Sequence, residues 1–92
     1  MKISYDLAKR EKTLRERDLD FEDTAAVFDG PEYTAEDDRR DYGETRFLTV
    51  GLFGGRMVIV VWTPRGAVRH IISFRKANDR EKAKYKDRMG GP

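Results

Sequence analysis

The sequence predicts an α+β fold with two N-terminal helices, an antiparallel β-sheet of three to four strands, and a C-terminal helix. Three observations carry that expectation. Capping residues with helical apolar spacing occupy residues 6–30, alternating β-branched and aromatic residues fill 46–75, and a capped, strongly charged segment begins at Asn78. Helices grouped ahead of a run of strands joined by short turns belong to α+β architectures, whereas α/β folds alternate the two.

Asp6 is placed to cap a first helix over residues 7–17, with Leu7 and Leu14 on one face and Lys9, Arg10, Lys12, Arg15 and Arg17 elsewhere. Asp20 caps a second, in which Phe21, Ala25 and Phe28 form an apolar stripe, Asp23 sits at the third position and Gly30-Pro31 ends the helix. Glu32-Tyr33-Thr34 reads as a short strand, and the following AEDDRRDYGET (35–45) is too charged for core and reads as a loop. RFLTVGLF (46–53) alternates, Gly54-Gly55 turns the chain, and RMVIVVWT (56–63) is apolar on both faces, which marks the central strand. Pro64-Arg65-Gly66 makes the next turn. AVRHIISFR (67–75) then alternates, with Val68, His70, Ile72 and Phe74 on one face and Arg69, Ile71, Ser73 and Arg75 on the other. Asn78 with Glu81 three residues on forms a capping box for a last helix carrying Arg80, Lys82, Lys84, Lys86 and Arg88, and Gly90-Gly91-Pro92 reads as a flexible tail. The 92 residues are expected to form one domain, 1–92.

Composition narrows the function. There is no cysteine and one histidine, so thiolate sites, cysteine nucleophiles and His-pair metal motifs are excluded. The longest apolar run, 57–62, is far short of the roughly 20 residues of a membrane span, and the N-terminus has no signal-peptide character, so a cytoplasmic protein without a membrane partner is expected. The net charge of +2 conceals an asymmetry: residues 1–45 carry 8 Lys/Arg against 14 Asp/Glu, and residues 46–92 carry 11 against 3. A basic half of this kind points to a polyanion partner.

The residues suited to that partner are arginines. Arg65 on a tight turn, Arg69 and Arg75 on one predicted strand face, Lys76, and Arg80 on the first turn of the last helix offer donors matched to phosphate oxygens. Trp62, Tyr42 and Phe74 have stacking faces for unpaired bases, although Trp62 and Phe74 are expected in the core. His70 shares its predicted face with Val68, Ile72 and Phe74 and reads as structural. Glu36, Asp37, Asp38 and Asp41 lack EF-hand spacing and alternate with arginines, so they read as a solvated loop; no metal or cofactor is expected. No GxGxxG, Walker or GxSxG motif is present.

YDLAKR (5–10), LDFEDTAAVFDG (19–30), DRRDYGETRF (38–47), GRMVIVVWTPRG (55–66) and RHIISFRKANDRE (69–81) together resemble the BrnT toxins of bacterial type II toxin–antitoxin systems, over almost the whole chain. The resemblance implies a RelE-like fold, ribonuclease activity that inhibits translation, and neutralisation by a BrnA-type antitoxin with a ribbon-helix-helix DNA-binding domain. It also implies a toxin–antitoxin heterotetramer that contacts operator DNA only through the antitoxin. Carried over by motif, Thr63 and Arg65 of WTPRG and Arg75 of SFRKA are the implied catalytic residues, with Lys76, Arg69 and Arg80 as RNA-binding neighbours. Two departures from the family pattern stand out: Thr13 and Glu16-Arg17-Asp18 replace an asparagine and a Lys-His-Gly, and Ala67 replaces an acidic residue.

The residues present fit metal-free cleavage in which the ribose 2′-hydroxyl attacks the adjacent phosphate and fixed guanidinium groups stabilise the developing charge. Proton transfer is open to Lys76, Tyr85 or Glu44. The alternative is a non-catalytic module that uses the same basic face to bind RNA or an antitoxin.

Overall fold

The computed structural model describes residues 2–89, and the predicted Gly90–Pro92 tail lies outside the described residues. Among these the chain runs β1 (Ile3–Tyr5), α1 (Leu7–Arg17), a 3-10 turn (Phe21–Asp23) leading into α2 (Thr24–Asp29), then β2 (Glu32–Glu36), β3 (Phe47–Phe53), β4 (Arg56–Arg65), β5 (Val68–Lys76) and α3 (Asp79–Tyr85). The five described strands form one sheet in the order β1-β5-β4-β3-β2; β1 is parallel to β5 and every other pair is antiparallel. The α+β class holds. The expected strand count and the purely antiparallel sheet do not, because Ile3–Tyr5 precedes the first helix and adds a parallel edge to β5. The second helix is also shorter than its apolar stripe suggested: its first turn is 3-10, capped by the Asp20 side chain on Glu22 N–H.

β4 is central, and its residues are buried on both faces. On one face Val58, Val60 and Trp62 join Ile71 and Phe74 of β5 against Leu19, Phe21, Val27 and Phe28 from the α2 region. On the other, Val50, Ile59, Val61 and Ala77 are packed with Tyr33, Leu48, Ile72 and Tyr85, the last from α3. Gly51 permits the closest approach of helix and sheet: a Cβ there would collide with Val27 Cγ1. Trp62 is a core residue as expected, and its indole N–H donates to Thr49 Oγ1 at 2.8 Å.

α1 is held by polar contacts. Asp6 caps it through Ala8 N–H and Lys9 N–H, and Asp18 ends it in the left-handed conformation (φ 57°). The predicted Leu7/Leu14 face is not a core stripe, since those side chains are 65% and 42% exposed. Arg10 instead grips Asp20 through two hydrogen bonds (2.8 and 3.0 Å), and Arg17 Nη1 donates to the Phe74 carbonyl oxygen at 3.1 Å. The Arg17 bond sets α1 along the stretch of β5 that the three-residue β1 leaves unpaired. No helix among the described residues is long and apolar enough to cross a membrane.

Candidate nucleic-acid interface

The placement of the basic side chains turns on one irregularity in β5. Val61 pairs with Ser73 and Trp62 with Ile71, so Ile72 is an extra residue, a β-bulge that shifts the alternation of everything after it. Ile71 and Phe74, three residues apart, therefore both enter the α2-side core. Arg69 and Arg75, predicted on one face, lie on opposite faces. His70, Ser73 and Arg75 are on the α3 side, whereas Arg69 and Lys76 are on the α2 side.

On the α2 side, Arg69 has an architectural environment. Its guanidinium lies over the Phe28 and Trp62 rings, 4.5 and 4.2 Å from their centroids, and reaches Glu32 of β2 at 4.0 Å. Lys76 lines a shallow depression with Asp18, Leu19 and Arg56, on the sheet face opposite α3.

On the α3 side, Arg75 Nη1 and Nη2 donate to the two carboxylate oxygens of Glu81 at 2.7 and 2.8 Å. Glu81 Oε1 also accepts from Asn78 N–H (3.0 Å) while Asn78 Oδ1 accepts from Glu81 N–H (2.8 Å), completing the predicted capping box. One carboxylate thus ends a helix and orients a guanidinium. The Arg75 guanidinium, followed by the Asn78 amide, holds the Glu81 carboxyl down to about 2. A second fork stands nearby, with Arg39 donating to buried Asp37 at 2.7 and 2.9 Å. Between β2, the loop at Asp37–Arg39 and α3 runs a groove of about 500 Å³ lined by Tyr33, Tyr85 and the cations Arg39, Arg80, Lys84 and Arg88, and also by the carboxylates of Glu36, Asp37, Asp38 and Glu81. Arg80 is exposed on it, and Arg88 lies over the Tyr33 ring and donates to its hydroxyl at 3.1 Å.

At the other end of the same face, Arg65 is exposed beside the Gly66 turn (φ 61°), paired in register with Val68. Arg75 is opposite Ile59 of β4, six residues along that strand from Arg65, roughly 20 Å, so the two arginines cannot hold one phosphate together. Thr63, between them, is buried, and its hydroxyl donates to the Thr45 carbonyl oxygen at 2.6 Å, fixing the loop before β3. His70 Nδ1 shares a 2.8 Å hydrogen bond with Ser4 Oγ, and burial, followed by the Arg65 charge, pushes its pKa below the usual imidazole value. Sequence reasoning read Glu81 only as a cap and missed its hold on Arg75. It also missed the Arg39–Asp37 fork and the Arg46 guanidinium over Tyr42, 4.0 Å from the ring centroid.

The family model described as "Ribonuclease toxin, BrnT, of type II toxin-antitoxin system" matches residues 5–81. No curated protein sequence matches the chain.

Proposed function

The chain belongs to the BrnT family of ribonuclease toxins of type II toxin–antitoxin systems, and from that premise we propose that single-stranded RNA lies across the α3 face of the sheet and is cut there without a metal ion. The observation that supports this reading is the Arg75–Glu81 fork. Glu81 engages one N–H of Nη1 and one of Nη2, which fixes the plane of the guanidinium and leaves its remaining donors for phosphate oxygens. The 2′-hydroxyl attacks phosphorus, the 5′-oxygen of the next nucleotide leaves with a proton, and a 2′,3′-cyclic phosphate remains. Charge gathers on the non-bridging oxygens in the transition state, where a pre-oriented guanidinium stabilises it at no cost in reorganisation.

In this reading Arg75 is the catalytic arginine, Arg80 binds a neighbouring phosphate from the groove wall, and Arg65 binds one further along the strand. Thr63 acts as a positioning residue through the Thr45 loop. Tyr85, on the groove, is better placed than Lys76 to exchange a proton, since Lys76 is on the far face. Arg69 is assigned to architecture rather than to RNA. The RelE-like arrangement, inhibition of translation, and neutralisation by a BrnA-type ribbon-helix-helix antitoxin in a heterotetramer complete the proposal, with the family membership as their support. Antitoxin-free protein incubated with labelled single-stranded RNA, with products mapped by primer extension, tests it. Discrete new ends, retained in EDTA and lost in Arg75→Ala, are expected; binding without new ends would identify a non-catalytic module, and loss of cutting in EDTA would refute the metal-free route.

A further inference from the structure

Helix α1 turns one face toward the unpaired part of β5. Lys9, Lys12, Thr13, Glu16 and Arg17, at helical spacings of three and four, together with Ser73 border a cleft of about 170 Å³. Arg10, on another face, is consumed by Asp20, but among the described residues Lys9, Lys12 and Arg17 have no carboxylate within 4.0 Å, and Arg17, which gives one Nη1 hydrogen to the Phe74 carbonyl, keeps its other donors. Three cations therefore face one carboxylate, Glu16, in a concave setting, where a field of one sign is focused. The cleft also adjoins the α3 face. Ser73 and Arg75 are on the same side of β5 and two residues apart, about 7 Å, and Lys9 and Arg65 both act electrostatically on His70.

We propose that this cleft between α1 and β5 is a binding track for the RNA backbone leading away from Arg75, with Lys9, Lys12 and Arg17 each taking a phosphate and Thr13 and Ser73 supplying hydroxyl contacts. Lys9 and Lys12 are three residues apart on α1 and Lys12 and Arg17 five, axial separations of about 4.5 and 7.5 Å, the scale on which successive phosphates of an extended strand follow one another. Phosphate contacts position a nucleic acid without reading its bases, so the track sets affinity and register but not sequence preference. The inference rests on the reading that RNA occupies the α3 face, and it assigns that RNA a path beyond the cutting site.

The test uses a fluorescent oligoribonucleotide with methylated 2′-hydroxyls, which cannot be cut, and measures its affinity by anisotropy over a series of salt concentrations. For single strands, each phosphate contact contributes about 0.7 to the slope of log affinity against log salt. Lys12→Gln is expected to lower the slope by about 0.7, and Lys9→Gln with Lys12→Gln by about 1.4. Arg56→Gln removes the same charge from the exposed start of β4 and is expected to leave the slope unchanged. With cleavable RNA, the α1 variants should raise KM several-fold and leave kcat unchanged. If wild type fails to bind, or if Lys12→Gln and Arg56→Gln behave alike while cleavage proceeds, the track does not exist. Slope losses confined to α1 in a protein that never cuts RNA would support the track and refute the ribonuclease reading. Unaltered RNA binding with weakened binding of an antitoxin would assign the cleft to protein and overturn the proposal.

Discussion

Arg75 and Arg65 are both exposed enough to meet a ligand, yet their substitutions should separate. Arg65 has no ion-pair partner among the described residues, so Arg65→Ala should shift stability by only about 0–1 kcal/mol while weakening RNA cleavage. Arg75→Ala leaves Glu81 without its cation at the cap of α3, so it should lower the melting temperature measurably as well as reduce cleavage by about 100-fold or more. Thermal melts and single-turnover cleavage of the two variants test this. Acid should act in two windows. Glu81, held to about 2 against an ordinary value of 4.5, contributes stability above about 4.5 that is lost as pH falls toward 2. His70 has a lowered pKa, so the unfolded chain binds the proton more readily, and stability falls as pH drops below about 6.5. His70→Gln should abolish the upper window in pH-dependent unfolding and keep most of the cleavage; loss of cleavage with the fold intact would make His70 the missing acid or base. Of the neighbours that alternation assigned to His70, Val68 and Ile72 stay on its side of the sheet, while the bulge moves Phe74 to the other face and brings Arg75 in.

At the scale of elements, β4, β5 and the capping box of α3 were legible because period-two alternation and an N-x-x-E spacing are local signals. β1 was not: three residues, Ile3-Ser4-Tyr5, carry no measurable period, and their partner lies far along the chain. The bulge was hidden for a different reason. Alternation is read by counting, and an inserted residue corrupts every later count, although apolar residues at 71, 72 and 74 were the available hint. Packing at the helix–sheet contact gives a direct check. Gly51→Ala should cost about 1–3 kcal/mol through overpacking against Val27, and Val60→Ala about as much through a cavity, both read from denaturant midpoints. A Gly51→Ala variant as stable as wild type would mean α2 moves freely on the sheet.

For the whole molecule, charge summed by halves pointed to a polyanion partner but said nothing of how cations are grouped within each half. The cations of α1 belong to the half with net −6 and still line a positive cleft, because helical periodicity separates charges that a sum merges. Expression of the chain alone is expected to arrest growth, with rescue by a co-expressed antitoxin; normal growth at verified expression would count against a working toxin. The sheet order has a consequence in time. Ile3 is paired with Arg69, so the first strand emerges from the ribosome with no neighbour and must wait for most of the chain to be synthesised before its edge can close. An RNA-cutting protein assembled in that order cannot complete its sheet while the earlier part of its own message is being translated.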